Sequence, residues 1–102
     1  MTKINQPSID AMSRRLSLRH LRLIVAIAEE GNSVRAGNRI NLSQPAVTKS
    51  LQEAEKLLEA SLFERTNRGM MPTEYGAILL AHARVILSQV DKALIDLSNL
   101  KD

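Results

Sequence analysis

The sequence predicts a mainly α-helical protein with three short helices, a two-stranded hairpin and one long final helix. Two observations carry this prediction. After residue 17, apolar residues recur every three or four positions through most of the chain, which is the spacing of an amphipathic helix. Between residues 61 and 72 that spacing breaks, and two short strand-like runs flank a turn. The length of 102 residues suits a single domain.

The composition excludes several classes of protein. Without cysteine, the chain has no disulfide framework, thiolate metal site or cysteine nucleophile, and we expect a cytoplasmic protein. Its longest apolar run, from Leu23 to Ala28, falls far short of the roughly 20 residues that cross a membrane. Phosphate-binding glycine motifs are absent, and His20 and His82 lie far apart without metal-ligand spacing. We therefore expect no membrane contact, no cofactor, no metal and no enzymatic activity.

The first helix is expected to follow a polar arm. Residues 1–17 show no clear apolar period, so we predict that they are flexible. From Leu18 to Glu30 the apolar residues fall on one helical face, and Gly31 is a natural C-terminal stop. The residues of this face are Leu21, Ile24, Val25 and Ala28.

Two further helices follow, separated by a turn at Asn41-Leu42. Asn32 or Ser33 is a good N-cap for a short second helix that ends just before this turn. Ser43 caps the third helix, which runs to about Leu58 and tolerates a proline in its first turn. The third helix has a buried stripe formed by Val47, Leu51, Ala54 and Leu58.

The second and third helices have the proportions of a helix-turn-helix. In that motif the second helix enters the DNA major groove with its N-terminal residues first. Gln44 can pair with adenine, and the ring of Pro45 can pack on a thymine methyl group. Lys49 can reach guanine or a phosphate, and Thr48 lies on the same helical face. An ordinary polar helix face is the alternative.

The break in helical spacing predicts a small hairpin, which we call the wing. Residues 62–65 and 70–71 form its strands, and Thr66-Asn67-Arg68-Gly69 is its turn. Two such strands are marginal alone, so the wing must pack on the helices. Arg68-Gly69 at its tip suits a minor groove or a flanking phosphate, and a solvated turn arginine is the alternative.

Charge gives partial support to a nucleic-acid partner. The net charge is +3, which suits an anionic partner. Residues 1–42 hold seven Lys and Arg against three Asp and Glu, whereas residues 43–76 hold four against five. Arg35, Arg39 and Arg65 suit phosphate contacts, and solvated surface arginines are the alternative.

The final helix is predicted to begin after the N-cap Thr73 and to run unbroken to Leu100. About 28 helical residues span roughly 42 Å, which is too long for a domain of this size to cover. Its apolar residues step alternately by four and three, a period that argues for a partner helix. Folding back on its own domain is the alternative. The expected dimer interface comprises Leu79, Leu80, Ala83, Ile86, Leu87, Val90, Leu94 and Leu97.

In this order and spacing, the motifs resemble the N-terminal region of LysR-type transcriptional regulators. The matching stretches are Leu18-Arg19-His20-Leu21, Val25 to Gly31, Leu42 to Thr48, Leu62 to Thr66, Arg68-Gly69, and Thr73-Glu74 with Gly76. The resemblance implies a winged helix-turn-helix that binds a partly palindromic DNA operator as a homodimer through its last helix. A recognition helix would lie in the major groove and the wing near the minor groove.

The resemblance also assigns roles to residues and segments. Base-reading positions are Gln44, Pro45, Thr48 and Lys49. Positions that contact the DNA backbone are Ser43, Arg35, Asn32 and Arg65, and the wing adds Arg68 and Gly69. The implied segments are a flexible arm (1–17), a DNA-binding domain (18–72) and a linker helix (73–102). The family's effector-binding domain is absent, so a small-molecule effector would act only through that missing domain, and full-length relatives are commonly tetrameric.

Four residues depart from the family pattern. Ser33 stands where an aromatic residue is usual, and Gly37 stands where alanine is usual, at a cost of up to about 1 kcal/mol in a helix. Ala54 replaces a usual leucine, and Glu59 replaces the glycine that usually ends the reading helix. These departures predict a looser core, an uncertain end of that helix and an unchanged reading face.

A protein-interaction module is the alternative function, in which the winged helix serves as a dimerisation adaptor. The apolar stripe of the final helix and the slightly negative charge of residues 43–76 favour it. Titration with a DNA duplex at low salt discriminates between the two functions.

Overall fold

The computed structural model of the protein describes residues 6–101. Within them the chain forms five helices and one antiparallel hairpin, which confirms the mainly helical fold class. In chain order the elements are α1 (Gln6–Arg15), α2 (Leu18–Glu30), α3 (Ser33–Ile40), α4 (Gln44–Leu58), β1 (Phe63–Thr66), β2 (Gly69–Pro72) and α5 (Glu74–Lys101). No helix of this described part is both long and apolar enough to cross a membrane.

Helix α1 forms over residues 6–15 of the predicted arm, where no helix was predicted. Ile9, Met12 and Leu16 follow one another at helical spacing among polar neighbours. This short apolar stripe was not recognised in the sequence. Leu16 is half-buried and packs against the core, and α1 contacts α4. Residues 1–5 of the predicted arm lie outside the described residues.

Helix α2 lies at the centre and packs against α3, α4 and α5. Its predicted bounds are confirmed, and its end is fixed by Gly31, which has a left-handed φ of 68°. The Gly31 N–H donates to the carbonyl oxygen of Ile27 at 2.8 Å. The predicted apolar face was too narrow, since Leu23, Ala26 and Ile27 are also buried. Three neighbouring helices cover α2, so more than one of its faces is apolar.

Helices α3 and α4 form the predicted helix-turn-helix. Asn41 ends α3 with a left-handed φ of 60°, a conformation that asparagine adopts more readily than most residues. The apolar stripe predicted for α4 is confirmed, because Val47, Leu51 and Ala54 are buried and Leu58 packs half-buried against them.

Gly37 lies inside α3 and packs against the turn that follows this helix. The Leu42 N–H donates to the Gly37 carbonyl oxygen at 2.8 Å. A Cβ on Gly37 would overlap the carbonyl oxygen of Leu42 and lie 3.1 Å from Cγ2 of Val47. The missing side chain permits this close approach, so a steric requirement opposes the loss of helix propensity at this position.

Glu59 ends α4 in place of the expected glycine. It has a left-handed φ of 54°, and its N–H donates to the carbonyl oxygen of Lys56 at 3.3 Å. The reading helix thus ends at Leu58 as predicted, although a residue with a Cβ occupies a conformation that favours glycine.

The wing forms as predicted, with each strand end shifted by one residue. Its register runs from Phe63 opposite Pro72 to Thr66 opposite Gly69. Outside the hairpin, the Met70 N–H donates to the carbonyl oxygen of Gly31 at 3.0 Å. This hydrogen bond anchors the wing to the junction between α2 and α3.

Helix α5 begins at the predicted cap, where the Thr73 hydroxyl accepts the Gly76 N–H at 3.1 Å. Its first half packs on α2, so folding back on the domain is the right description for that half. Leu80 and Ala83 are buried there with 8% and 0% exposure. Both side chains are thus buried within the domain itself, and their predicted place at a dimer interface stays a prediction.

The remaining predicted interface residues differ in their surroundings. Leu79 and Leu87 are partly buried and pack against the domain's own core. Ile86, Leu94 and Leu97 are 41%, 59% and 57% exposed. Exposed apolar residues therefore occur along the whole of α5, from Tyr75 and Ile78 near its start to Leu94, Leu97 and Leu100 near its end.

Candidate nucleic-acid interface

The first turns of α4 present the four residues predicted to read bases. Gln44, Pro45, Thr48 and Lys49 are all exposed. Ser43 fixes the start of the helix, because its hydroxyl accepts the Ala46 N–H at 3.3 Å. Pro45 has no N–H, and the N–H groups of Ala46 and Val47 donate to Ser43. The Gln44 N–H and the helix dipole are therefore what favour an anion at this end. The structure therefore brings a set of hydrogen-bonding side chains together with a site suited to phosphate.

The start of α3 lies beside the start of α4. The Nε2 atom of Gln44 donates to Oγ of Ser33 at 3.4 Å. Asn32 caps α3 by accepting the Arg35 N–H on Oδ1 at 3.0 Å. The N-termini of α3 and α4 thus lie on one side of the domain.

Arg35 and Arg39 are both on α3, but they have different partners. The Arg35 guanidinium donates to the carbonyl oxygen of Glu30 at 3.3 Å and stays exposed. Arg39 forms an ion pair with Glu29 at 2.7 Å, and its hydrogen bond lowers the pKa of the Glu29 carboxyl. Arg35 is consequently the better candidate for a phosphate contact, while Arg39 serves to join elements of the fold.

The two arginines of the wing, Arg65 and Arg68, line two separate grooves on the protein surface. Arg65 lines a groove with Thr48 and Gln52 of α4. Arg68 lies with Glu64 on another part of the hairpin. Arg65 is therefore brought close to the reading residues, and Arg68 is not.

The turn of the wing is held by Thr66. Its Oγ1 accepts the Arg68 N–H at 3.0 Å and donates to the Gly69 carbonyl oxygen at 3.1 Å. Gly69 has a φ of 99°, in the range that glycine adopts most readily. These contacts fix the backbone that carries Arg68.

Three residues near this surface were not among the predicted sites. Ser33 contacts Gln44, and Gln52 borders the same groove as Thr48. Arg19 lines a depression with Leu42 and Ser50, which adds a cation beside the middle of α4. Gln52 could have been found from the sequence, because it shares a helical face with Thr48. The positions of Ser33 and Arg19 depend on tertiary contacts.

The fold and this surface define a class of protein, the winged helix-turn-helix proteins with a long C-terminal helix. The profile described as "Bacterial regulatory helix-turn-helix protein, lysR family" matches residues 18–77. This chain belongs to the LysR family of bacterial transcriptional regulators.

Named relatives agree with this assignment. The HTH-type transcriptional regulator GbpR of Azospirillum brasilense is 42% identical over 100 residues, which cover 98% of this chain and 29% of that protein. The uncharacterized HTH-type regulator YnfL of Escherichia coli is 46% identical over 78 residues, covering 76% of this chain and 26% of that protein. The chain thus spans less than a third of the length of these relatives. The relatives are transcriptional regulators and not enzymes.

Solved structures of LysR DNA-binding domains are similar to this fold. The BenM DNA-binding domain in complex with benA site 1 DNA is 30% identical, with a TM-score of 0.79 over 85% of this chain and 98% of that one. The CbnR DNA-binding domain in complex with DNA is 32% identical, with a TM-score of 0.75 over 85% of this chain and 100% of that one.

Proposed function

We propose that this chain is the sequence-specific DNA-binding part of a cytoplasmic transcriptional regulator, and that α4 reads bases in the major groove. The observation that carries the proposal is the exposed face at the start of α4, where Gln44, Thr48 and Lys49 stand beside a helix N-terminus. A side chain that forms two hydrogen bonds with one base discriminates against the wrong base by about 1–3 kcal/mol. The similar domains solved in complex with DNA support DNA binding by this chain.

Around this face, we assign contacts with the DNA backbone to the start of α3 and to the wing. Arg35 is exposed at the first turn of α3, and Asn32 and Ser43 sit at the two helix starts. Arg65 approaches α4 from the wing, and Arg68-Gly69 form the tip that reaches the neighbouring minor groove. Contacts of this kind set the position of a protein on DNA without reading sequence.

A homodimer completes the proposed DNA-binding unit. The second half of α5 carries apolar residues that its own domain leaves uncovered, including Leu94 and Leu97. Pairing of these helices from two copies would place two reading helices on a partly palindromic operator. Within a longer protein, an effector-binding domain and tetramer formation would follow the pattern of the family.

Fluorescence anisotropy with this chain tests the proposal. A duplex selected from a random pool is expected to bind tightly at low salt, with log K falling by about 0.9 per phosphate contact for each unit of log salt. Gln44→Ala and Thr48→Ala are each expected to reduce the preference for that duplex over a random one. Lys56→Ala, in the last turn of α4, is the control and should keep the preference.

Two results would contradict this assignment. If Gln44→Ala and Thr48→Ala distinguish specific from random duplexes as well as the parent does, α4 does not read bases through this face. If the parent binds no duplex at low salt, the protein-interaction function is favoured, for which the exposed apolar residues of α5 provide the surface.

A further inference from the structure

Ser33 is the first residue of α3, and it faces the start of the reading helix. Its hydroxyl oxygen accepts a hydrogen bond from Nε2 of Gln44 at 3.4 Å. The two residues are eleven positions apart and belong to the two helices of the helix-turn-helix. The contact therefore links the orientation of an exposed side chain on α4 to a fixed point on α3.

The small side chain of Ser33 also shapes its surroundings. Ser33 lines a groove of about 260 Å³ between α4 and the wing, together with Thr48, Gln52 and Arg65. A larger side chain at this position would fill the groove from the α3 side. Serine leaves the groove open and places a hydroxyl within reach of Gln44.

The chemistry of the glutamine amide allows both this contact and base pairing. Nε2 carries two N–H donors and Oε1 is an acceptor. Adenine is read by Oε1 and one of the two N–H groups. The second N–H is the one available to Ser33, so the contact leaves the reading edge of the amide free.

The contact also reduces the conformational cost of reading. An exposed glutamine has up to about 2 kcal/mol of rotamer freedom to lose when it is ordered, and binding is stronger when such a side chain is ordered beforehand. Gln44 is exposed and projects from the first turn of α4. A hydrogen bond from a residue outside its own helix is a means of holding it in one orientation.

We infer that Ser33 is a positioning residue of the DNA interface, whose hydroxyl orients the Gln44 amide and thereby sharpens base preference at the position that Gln44 reads. The inference rests on the proposed function of α4. It assigns to Ser33 an effect on sequence preference that is separate from any effect on stability.

The test compares four forms of the chain: Ser33→Ala, Ser33→Thr, Gln44→Ala and the double variant Ser33→Ala with Gln44→Ala. Each form is titrated by anisotropy against the duplex selected by the parent and against duplexes with single base-pair changes across the site. Ser33→Ala should lower the discrimination at one base position by about threefold to tenfold, the effect of one hydrogen bond. Ser33→Thr retains the hydroxyl and should retain the discrimination.

The double variant separates positioning from a general effect. In the Gln44→Ala background, removal of the Ser33 hydroxyl should no longer change discrimination, because the side chain it orients is gone. Urea unfolding of each form shows whether folding is altered. If Ser33→Ala is unstable, Ser33→Cys replaces it, because a thiol of similar size is only a weak hydrogen-bond acceptor and Gln44 is kept.

Three results overturn the inference. In the first, Ser33→Ala leaves discrimination unchanged at every position. In the second, it lowers discrimination equally with and without Gln44. In the third, the parent itself shows no preference between the selected and random duplexes, and the proposed function then fails as well. A parent that discriminates while Ser33→Ala behaves identically refutes only the role of Ser33.

Discussion

The Nη1 atom of Arg39 lies 2.7 Å from Oε1 of Glu29, and this ion pair joins α3 to α2. The other carboxylate oxygen of Glu29 lies 3.4 Å from Nη2 of Arg84 on α5. One carboxylate thus contacts cations from the helix-turn-helix and from the long helix. The network is half-exposed, so its contribution is reduced by solvent and by salt.

This network predicts a pH-dependent stability. The hydrogen bond from Arg39 is the main cause that lowers the pKa of Glu29 in the folded chain. A carboxyl group with a lowered folded pKa stabilises the fold above its unfolded pKa, and this contribution is lost as pH falls through the folded value. Glu29→Gln should therefore unfold at lower urea concentration than the parent near neutral pH, and the difference should vanish in strong acid.

Glu64→Gln is the control for that measurement, because Glu64 is exposed on β1 and forms no ion pair within residues 6–101. Its unfolding midpoint should stay near the parent's at both pH values. An equal deficit for Glu29→Gln at neutral and acidic pH would show that the carboxylate charge is not the source of the stability.

The left-handed backbone at Glu59 predicts a stabilising substitution. A left-handed conformation costs a non-glycine residue about 1–2 kcal/mol, and glycine adopts it freely. Glu59→Gly should raise the free energy of unfolding by about 1 kcal/mol, measured by urea unfolding. The matched change Glu53→Gly, in the interior of the same helix, should lower it by about 1 kcal/mol. Two changes of the same sign would refute the conformational argument.

At Gly37 two physical effects oppose each other. Helix propensity alone predicts that Gly37→Ala stabilises α3 by about 1 kcal/mol. The added Cβ would overlap the Leu42 carbonyl oxygen and press on Val47, and overpacking of this kind costs about 1–3 kcal/mol. We expect a net loss of stability in urea unfolding. The exposed neighbour Asn38→Ala should change stability little, and a more stable Gly37→Ala would mean that the turn shifts without cost.

The exposed apolar residues near the end of α5 predict which substitutions separate a dimer into monomers. Leu94→Glu combined with Leu97→Glu introduces charges where apolar residues are 59% and 57% exposed, so the chain should become monomeric in sedimentation velocity while it stays folded. Lys92→Glu, at another angle of the same helix, should remain a dimer. A dimer that survives the double change would place the interface elsewhere.

Local signals were enough to predict most of the fold. Gly31, Ser43 and Thr73 end or begin helices by hydrogen bonding within a few residues, so their positions can be predicted from the sequence. The exposure of Thr48 and Lys49 on α4 could be predicted for the same reason, since spacing along a helix defines the face on which they lie. The wing followed from the break in that spacing.

Features that depend on tertiary contacts were not predictable in this way. The apolar stripe of α1 is too short to stand out among polar residues, and its order depends on packing against α4. The seven-residue pattern of α5 does not distinguish a residue that packs on α2, such as Ala83, from one left exposed, such as Leu97. The close approach at Gly37 involves Leu42 in the turn and Val47 of α4, and helix propensity takes account of neither.

The hydrogen bond from the Met70 N–H to the carbonyl oxygen of Gly31 fixes the wing to the body of the domain. The same glycine ends α2 through its N–H, and its carbonyl oxygen also faces Gly69 across a gap with no room for a Cβ. The wing is therefore tied to the junction between α2 and α3, and Ser33 of α3 contacts Gln44 at the start of α4. Because α4 and the wing are proposed to contact DNA together, we expect the deformability of the DNA to influence binding at base pairs that the domain does not contact.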